Sequence, residues 1–224
     1  MRQGRRKMMQ AVVFDMDGVI FDSETLLTEC WVEVAREHGI PDVEHTNYLC
    51  LGVNDVETKE IFLHVYGQDF PYDTYEREVM RLFRKRASGG KLPKKPGVEE
   101  LLSFLKEQGV KVALATSSRE SIVMDEIREA GLLSYFDAIV CGDTITKSKP
   151  DPEIYLKACE RLGVEPEKAY AVEDSFNGVR SATRAGLSCI MVPDIKQPDD
   201  EMRSLACCIL PSLVEVKEYL KIAR

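Results

Sequence analysis

Phe14-Asp15-Met16-Asp17-Gly18-Val19-Ile20-Phe21-Asp22-Ser23 is the stretch on which the reading of this chain turns. Leading into it, Ala11-Val12-Val13-Phe14 is a short apolar run of β-formers, the pattern of a strand buried on both faces. The run ends in two aspartates one residue apart, and a glycine then opens a turn. In extended chain, residues i and i+2 point the same way. Asp15 and Asp17 can therefore face one cavity at the carboxyl end of a buried strand, where open α/β sheets bind ligands. Two carboxylates so close repel each other, so the site calls for a cation or a shared proton. Taken alone, Asp-x-Asp-Gly reads equally well as a plain turn. Three later motifs decide between the two readings.

Downstream the pattern turns helical. Leu26, Leu27, Cys30, Trp31, Val34 and Ala35 form an apolar stripe closed by Gly39 and Pro41. A second helix is expected from Asn54, with Glu57 completing a capping box, to Gly67. A third is expected from Asp73, with Glu76 in the box position. The Gly-, Pro- and Lys-rich segment from Ser88 to Gly97 reads as a linker.

From Gly97 onward, helix and strand alternate. Strands are expected at 110–115, 137–141, 169–172, 189–192 and 207–210. Between them fall a helix carrying Val98, Leu101, Leu102 and Leu105, a helix through Ile122 and Ile127, and a helix capped by Asp151 with Pro152 at its first position. A helix reaching Gly186 and a closing helix capped by Ser212 and Glu215 complete the series. Such alternation means a parallel sheet wrapped by helices. The expected fold is α/β: a doubly wound, Rossmann-like parallel sheet with an inserted α-helical cap. The expected divisions are a disordered basic tail at 1–8, upstream of a start at Met8 or Met9, a core at 9–24 and 92–224, and the cap at 25–91. Hinges are expected near Ser23–Leu26 and Lys91–Gly97.

Composition narrows the classes. Hydrophobic residues make up 44% of the 224 and charged residues 30%, as in an ordinary globular protein. A net charge of −8 argues against a nucleic-acid-binding surface. No apolar run approaches the roughly 18 residues of a membrane span. Seven scattered cysteines, without a Cys-x-x-Cys pair, read as buried reduced thiols of a cytoplasmic protein.

Three further motifs stand at expected strand ends. Thr116-Ser117-Ser118 offers hydroxyls and backbone N–H groups to an anion, or a plain helix cap. Lys149 precedes a rigid Pro150-Asp151-Pro152, which holds it in a defined place. Glu173-Asp174 ends an apolar strand, where two adjacent acids are costly to bury uncompensated. With Asp15 they supply the hard oxygen ligands that Mg²⁺ prefers. Lys147 reads as surface, and Lys94 and Lys95 as solvated charges.

In order and spacing these motifs resemble the haloacid dehalogenase-like superfamily, in the branch that holds sugar-phosphate phosphatases and β-phosphoglucomutases. The resemblance covers the chain from Met9 onward. It implies Asp15 as nucleophile, Asp17 as acid/base whose carbonyl also touches the metal, and Thr116, Ser117 and Lys149 on the phosphoryl group. It implies Asp174 as a direct metal ligand, with Glu173 a second ligand or an acceptor behind it. Gly52, in Leu51-Gly52-Val53-Asn54, falls at the family's cap specificity loop. The implied activity is Mg²⁺-dependent hydrolysis of a small phosphorylated metabolite by a cytoplasmic monomer or weak homo-oligomer.

The alternative is a sugar-phosphate mutase. Mutases of this branch carry a cap histidine and a cap arginine, and counting along this chain puts Leu27 and Asp55 in their places. Dehalogenase relatives lack the second aspartate that Asp17 supplies. A receiver-type phosphoacceptor would place its acid pair first and its acceptor later, the reverse of the order here.

Overall fold

The computed structural model describes residues 9–51, 53 and 55–222, without the side chain of Asp55. The expected tail at 1–8 and the loop residues Gly52 and Asn54 lie outside the described residues. Six strands form one parallel sheet: β1 (Ala11–Phe14), β2 (Lys111–Ala115), β3 (Ala138–Val140), β4 (Ala169–Glu173), β5 (Ser188–Met191) and β6 (Cys208–Ile209). Their spatial order is β3-β2-β1-β4-β5-β6. The order reverses between β1 and β4, which makes their carboxyl ends the switch point of a doubly wound sheet.

Ten α-helices accompany the strands among the described residues. Between β1 and β2 come α1 (Ser23–His38), α2 (Val43–Cys50), α3 (Asp55–Tyr66), α4 (Tyr72–Ala87) and α5 (Val98–Glu107). Then follow α6 (Glu120–Glu129), α7 (Glu153–Leu162), α8 (Phe176–Arg184), α9 (Asp200–Leu205) and α10 (Leu213–Ile222). The alternating residues of β1 feed two apolar layers. Val12 and Phe14 join the layer holding Leu101, Leu102 and Leu105 of α5 and Leu213, Val216 and Leu220 of α10. Ala11 and Val13 join Ile154, Tyr155 and Ala158 of α7 and Val179 and Ala182 of α8. A strand covered on both sides needs no polar alternation, which is why its sequence reads as one apolar run.

Helices α1–α4 lie between β1 and the rest of the sheet in sequence. They order around an aromatic cluster: the ring centroids of Trp31 and Phe62 are 4.6 Å apart, and those of Phe62 and Tyr72 are 5.1 Å apart. The expected stripe of α1 is buried at Cys30, Trp31, Val34 and Ala35, and Leu26 and Leu27 pack against the same layer.

Several local expectations are corrected. Helix α2 has no counterpart in the periodicity reading. It is short, leaves Tyr48 and Leu49 exposed beside Glu44 and His45, and is held by tertiary packing of Val43, Thr46 and Asn47. Helix α9 also escaped, although Asp199 Oδ1 caps it by accepting from Met202 N–H at 2.9 Å. Asp73 does not cap α4, which begins one residue earlier behind Pro71; its carboxylate instead holds Lys59 at 2.7 Å. Pro152 precedes α7 rather than opening it, while Asp151 Oδ1 does accept from Glu153 N–H at 3.1 Å. Cys207 is exposed and Cys50 and Cys208 are half-buried, so only four of the seven thiols are buried.

Candidate active site

Strand register brings the two acid motifs together. Phe14 pairs with Val172 in the ladder between β1 and β4, and Asp15 N–H donates to Val172 O at 3.0 Å. Asp15 and Glu173 are thereby neighbours at the switch point. Lys149, from the loop before α7, reaches between them. Its Nζ donates to Asp15 Oδ1 at 2.6 Å, to Glu173 Oε1 at 2.6 Å and to Ala115 O at 3.1 Å. All three N–H bonds of the ammonium are thus directed by protein acceptors.

Glu173 is fully buried and fully engaged. Tyr155 Oη donates to its Oε1 at 2.6 Å, and Ser175 donates to its Oε2 through Oγ at 3.1 Å and through N–H at 3.3 Å. Its carboxylate also presses on α8. A Cβ on Gly178 would stand 1.9 Å from Glu173 Cδ, so only glycine fits there. A second glycine is required at the turn after Asp17. Gly18 has φ +75°, and a Cβ there would meet Asp174 Oδ2 at 2.4 Å.

Asp17 is held on both oxygens, by Ser23 Oγ at 2.7 Å and Ser118 Oγ at 2.9 Å. Thr116 is buried, and its Oγ1 accepts from Ser118 N–H at 3.0 Å. Ser117 is exposed at the same strand end. Lys147 is exposed, as expected. Lys95 is not a solvated charge: it is half-buried and donates to Asp194 at 2.6 Å and to Asp22 at 3.2 Å. Burial works against its charge, but Asp194 and Asp22 hold its ammonium above the usual lysine range.

The electrostatics of this strand end are lopsided. Carboxylate oxygens of Asp15, Glu173 and Asp174 all lie within 4.8 Å of one another. Burial pushes Asp15 up to about 8; Lys149 opposes that shift, and Glu173 and Asp17 add to it. Burial also raises Asp174 well above the ordinary carboxylate range, and Glu173 and Asp15 reinforce it. Lys149 stays charged, because Asp15 and Glu173 together outweigh its own burial. Among the described residues no hydrogen-bond donor or cation reaches the Asp174 carboxylate. Asp174 and the Asp15 oxygen that Lys149 does not bind therefore offer hard oxygens without a partner cation, and that donor set fits Mg²⁺. Glu173, with both oxygens already accepting, fits the role of an acceptor behind them.

The family profile described as haloacid dehalogenase-like hydrolase matches residues 12–192, from the middle of β1 to just past β5. The chain belongs to this family. Among relatives of this haloacid dehalogenase-like hydrolase is a phosphorylated carbohydrates phosphatase of Thermotoga maritima. It is 39% identical over 182 residues, covering 81% of this chain and 84% of the relative. The β-phosphoglucomutase of Bacillus subtilis is 32% identical, covering 82% and 83%. A solved haloacid dehalogenase family hydrolase of Deinococcus radiodurans, with bound phosphate and sodium, superimposes with a TM-score of 0.81 at 26% identity and covers 97% of each chain. The hydrolase thus stands in the branch that includes both phosphatases and β-phosphoglucomutases. No helix among its described residues is long and apolar enough to cross a membrane.

Three residues of the hydrolase's site were missed by sequence reasoning. Ser118 lies inside a quoted motif, but nothing local shows that it turns to Asp17. Ser23 opens α1 and looks like a helix start. Tyr155 sits on the apolar stripe of α7, where its hydroxyl is invisible to periodicity. A buried tyrosine needs a partner for its O–H, which is the one signal that could have flagged it.

Proposed function

We propose that this protein is a Mg²⁺-dependent phosphatase that hydrolyses a small phosphomonoester, a sugar phosphate or related metabolite, through an aspartyl-phosphate on Asp15. The observation that carries the reading is the single ammonium of Lys149 shared by Asp15 and Glu173 while the carboxylate of Asp174 stays unpaired. An uncatalysed phosphomonoester hydrolyses extremely slowly. A carboxylate nucleophile divides the reaction into two easier displacements.

Asp15 attacks phosphorus, and the bond to the leaving alkoxide breaks. Asp17 donates a proton to that alkoxide, then takes one from the water that hydrolyses the intermediate. Ser23 and Ser118 fix its carboxylate for both steps. Lys149 and the hydroxyl of Thr116 stabilise the transferring phosphoryl oxygens, with Ser117 beside them. Asp15, Asp174 and the backbone carbonyl of Asp17 would hold the cation. When bound, Mg²⁺ shields the nucleophile from the phosphate charge and holds the two in line. Helices α1–α4, as a cap over residues 25–91, exclude water and select the substrate.

A mutase is the second reading, favoured by the Bacillus subtilis relative. Against it, Leu27 packs into the apolar layer where mutases of this branch carry a histidine. The deciding experiment is Mg²⁺-dependent phosphate release across phosphorylated metabolites, glucose phosphates included, with the sugar products analysed. Free phosphate that disappears with EDTA supports a phosphatase. Isomerised sugar phosphate with little free phosphate overturns that reading in favour of the mutase.

A further inference from the structure

Three charged side chains from three separate segments meet beside the site. Asp22 stands just ahead of α1, Lys95 lies between α4 and α5, and Asp194 follows β5. Lys95 Nζ joins the other two, at 3.2 Å to Asp22 Oδ1 and 2.6 Å to Asp194 Oδ1. The two linkers also pair as backbone. Asp22 N–H donates to Pro93 O at 2.8 Å and Lys95 N–H donates to Ile20 O at 2.9 Å, around an antiparallel bridge between Phe21 and Lys94. Any swing of α1–α4 against the sheet must flex this pair of linkers. The Lys95–Asp194 bond ties the pair to the rim of the sheet.

Among the described residues, Asp194 is balanced by Lys95 alone. Its side chain is 11% exposed, its Oδ2 is buried without a partner, and among the described residues no other cation reaches it. Its place follows from register. Met191 pairs with Glu173, and Val192 N–H donates to Glu173 O at 2.7 Å, so Asp194 lies beside the strand end that carries Asp174. A buried carboxylate with one cationic partner presents its full charge to its surroundings once that partner leaves.

We infer that the Lys95–Asp194 ion pair couples the linkers to the cation site. While made, it masks the charge of Asp194; when broken, it turns that charge toward a cation held by Asp174. The inference rests on the proposed cation site at Asp15 and Asp174. Coupling between two equilibria is reciprocal. A cation at Asp174 therefore competes with Lys95 for Asp194, and the loaded site has looser linkers.

The test is one of sign. Mg²⁺ binding to the full-length protein is measured by calorimetry. Lys95→Met leaves the charge of Asp194 unmasked and should tighten binding about fivefold or more. Asp194→Asn leaves the charge of Lys95 beside the site and should weaken binding by a similar factor. The double variant should return close to wild type. A merely structural role would move both single variants in the same direction, or neither, and either result overturns the coupling. As a second readout, exchange of the Asp22 and Lys95 amides should quicken with Mg²⁺ in the wild type and lose that dependence in the isosteric Asp194→Asn. That measurement serves even where Lys95→Met folds poorly, and unaltered cation dependence in Asp194→Asn refutes the coupling. Loss of Mg²⁺ binding in wild type, or its persistence in Asp174→Asn, removes the cation site itself and the coupling with it.

Discussion

The carboxyl edge of the sheet and the helical insert α1–α4 are held together by different forces. At the edge, Lys149, Glu173 and Asp17 each meet a directed partner within 3 Å. In the insert, order comes from rings in contact: Phe62 touches Trp31, Tyr66, Phe70 and Tyr72, with centroids 4.6 to 6.1 Å apart. Its ion pairs, such as Lys59–Asp73, are largely exposed and contribute little, about 0–1 kcal/mol. Charges buried side by side tolerate almost no displacement, because each unpaired group costs several kcal/mol. Apolar packing tolerates exchange so long as volume is kept. The edge is therefore suited to fixed chemistry and the insert to variable selection of substrate.

The largest effect should separate the two regions cleanly. Asp15→Asn should lower Mg²⁺-dependent phosphate release by at least about 10³-fold, because it removes the proposed nucleophile. The insert should keep its fold, read by near-ultraviolet circular dichroism. Turnover close to wild type would remove Asp15 from its role. At the same edge, Gly178→Ala drives a methyl group into the Glu173 carboxylate. It should cost about 2 kcal/mol or more in denaturant unfolding and abolish most activity, since Glu173 positions Lys149. An active variant of wild-type stability would show that this contact can relax.

Phe62→Ala tests the other region. Removing this fully buried ring should cost about 3–5 kcal/mol. In protein kept folded at low temperature, Mg²⁺ affinity should match wild type while KM for substrate rises. A lost cation site would mean that the two regions are less separate than their forces suggest.

The smallest effect concerns pH. Burial raises Asp15 from the ordinary value of 3.8 to about 8. The fold therefore keeps that proton longer than the unfolded chain does. The associated stability is full below the ordinary carboxylate range and is lost as pH rises through about 8. Mg²⁺ competes with the same proton. The rise in Tm caused by Mg²⁺ should accordingly be larger at pH 8 than at pH 6, and the opposite order would contradict the shift.

Much of the sheet edge was legible because its residues are chemically costly where they stand. Asp15 and Asp17 alone could close a plain turn, but a second apolar strand ending in Glu173 and Asp174 gathers more charge than turns and helix starts need. The insert was less legible. The short α2 carries no clear period, and Asp73 reads in sequence as a helix cap rather than as the partner of Lys59; in the linker beyond, Lys95 reads as a solvated charge.

The sequence by itself determined the alternation of strand and helix, the layers behind β1 and the types of residue at the strand ends. Local pattern suffices there, because apolar periodicity and turn chemistry act within a few residues. Only the tertiary structure decided that Tyr155 serves Glu173, that Ser23 and Ser118 share Asp17, and that Lys95 binds Asp194. Those partners lie 18, 6, 101 and 99 residues apart. Ser23 reaches Asp17 through the turn at Gly18, whereas the three longer separations depend on strand order and register, which no local window of the chain contains.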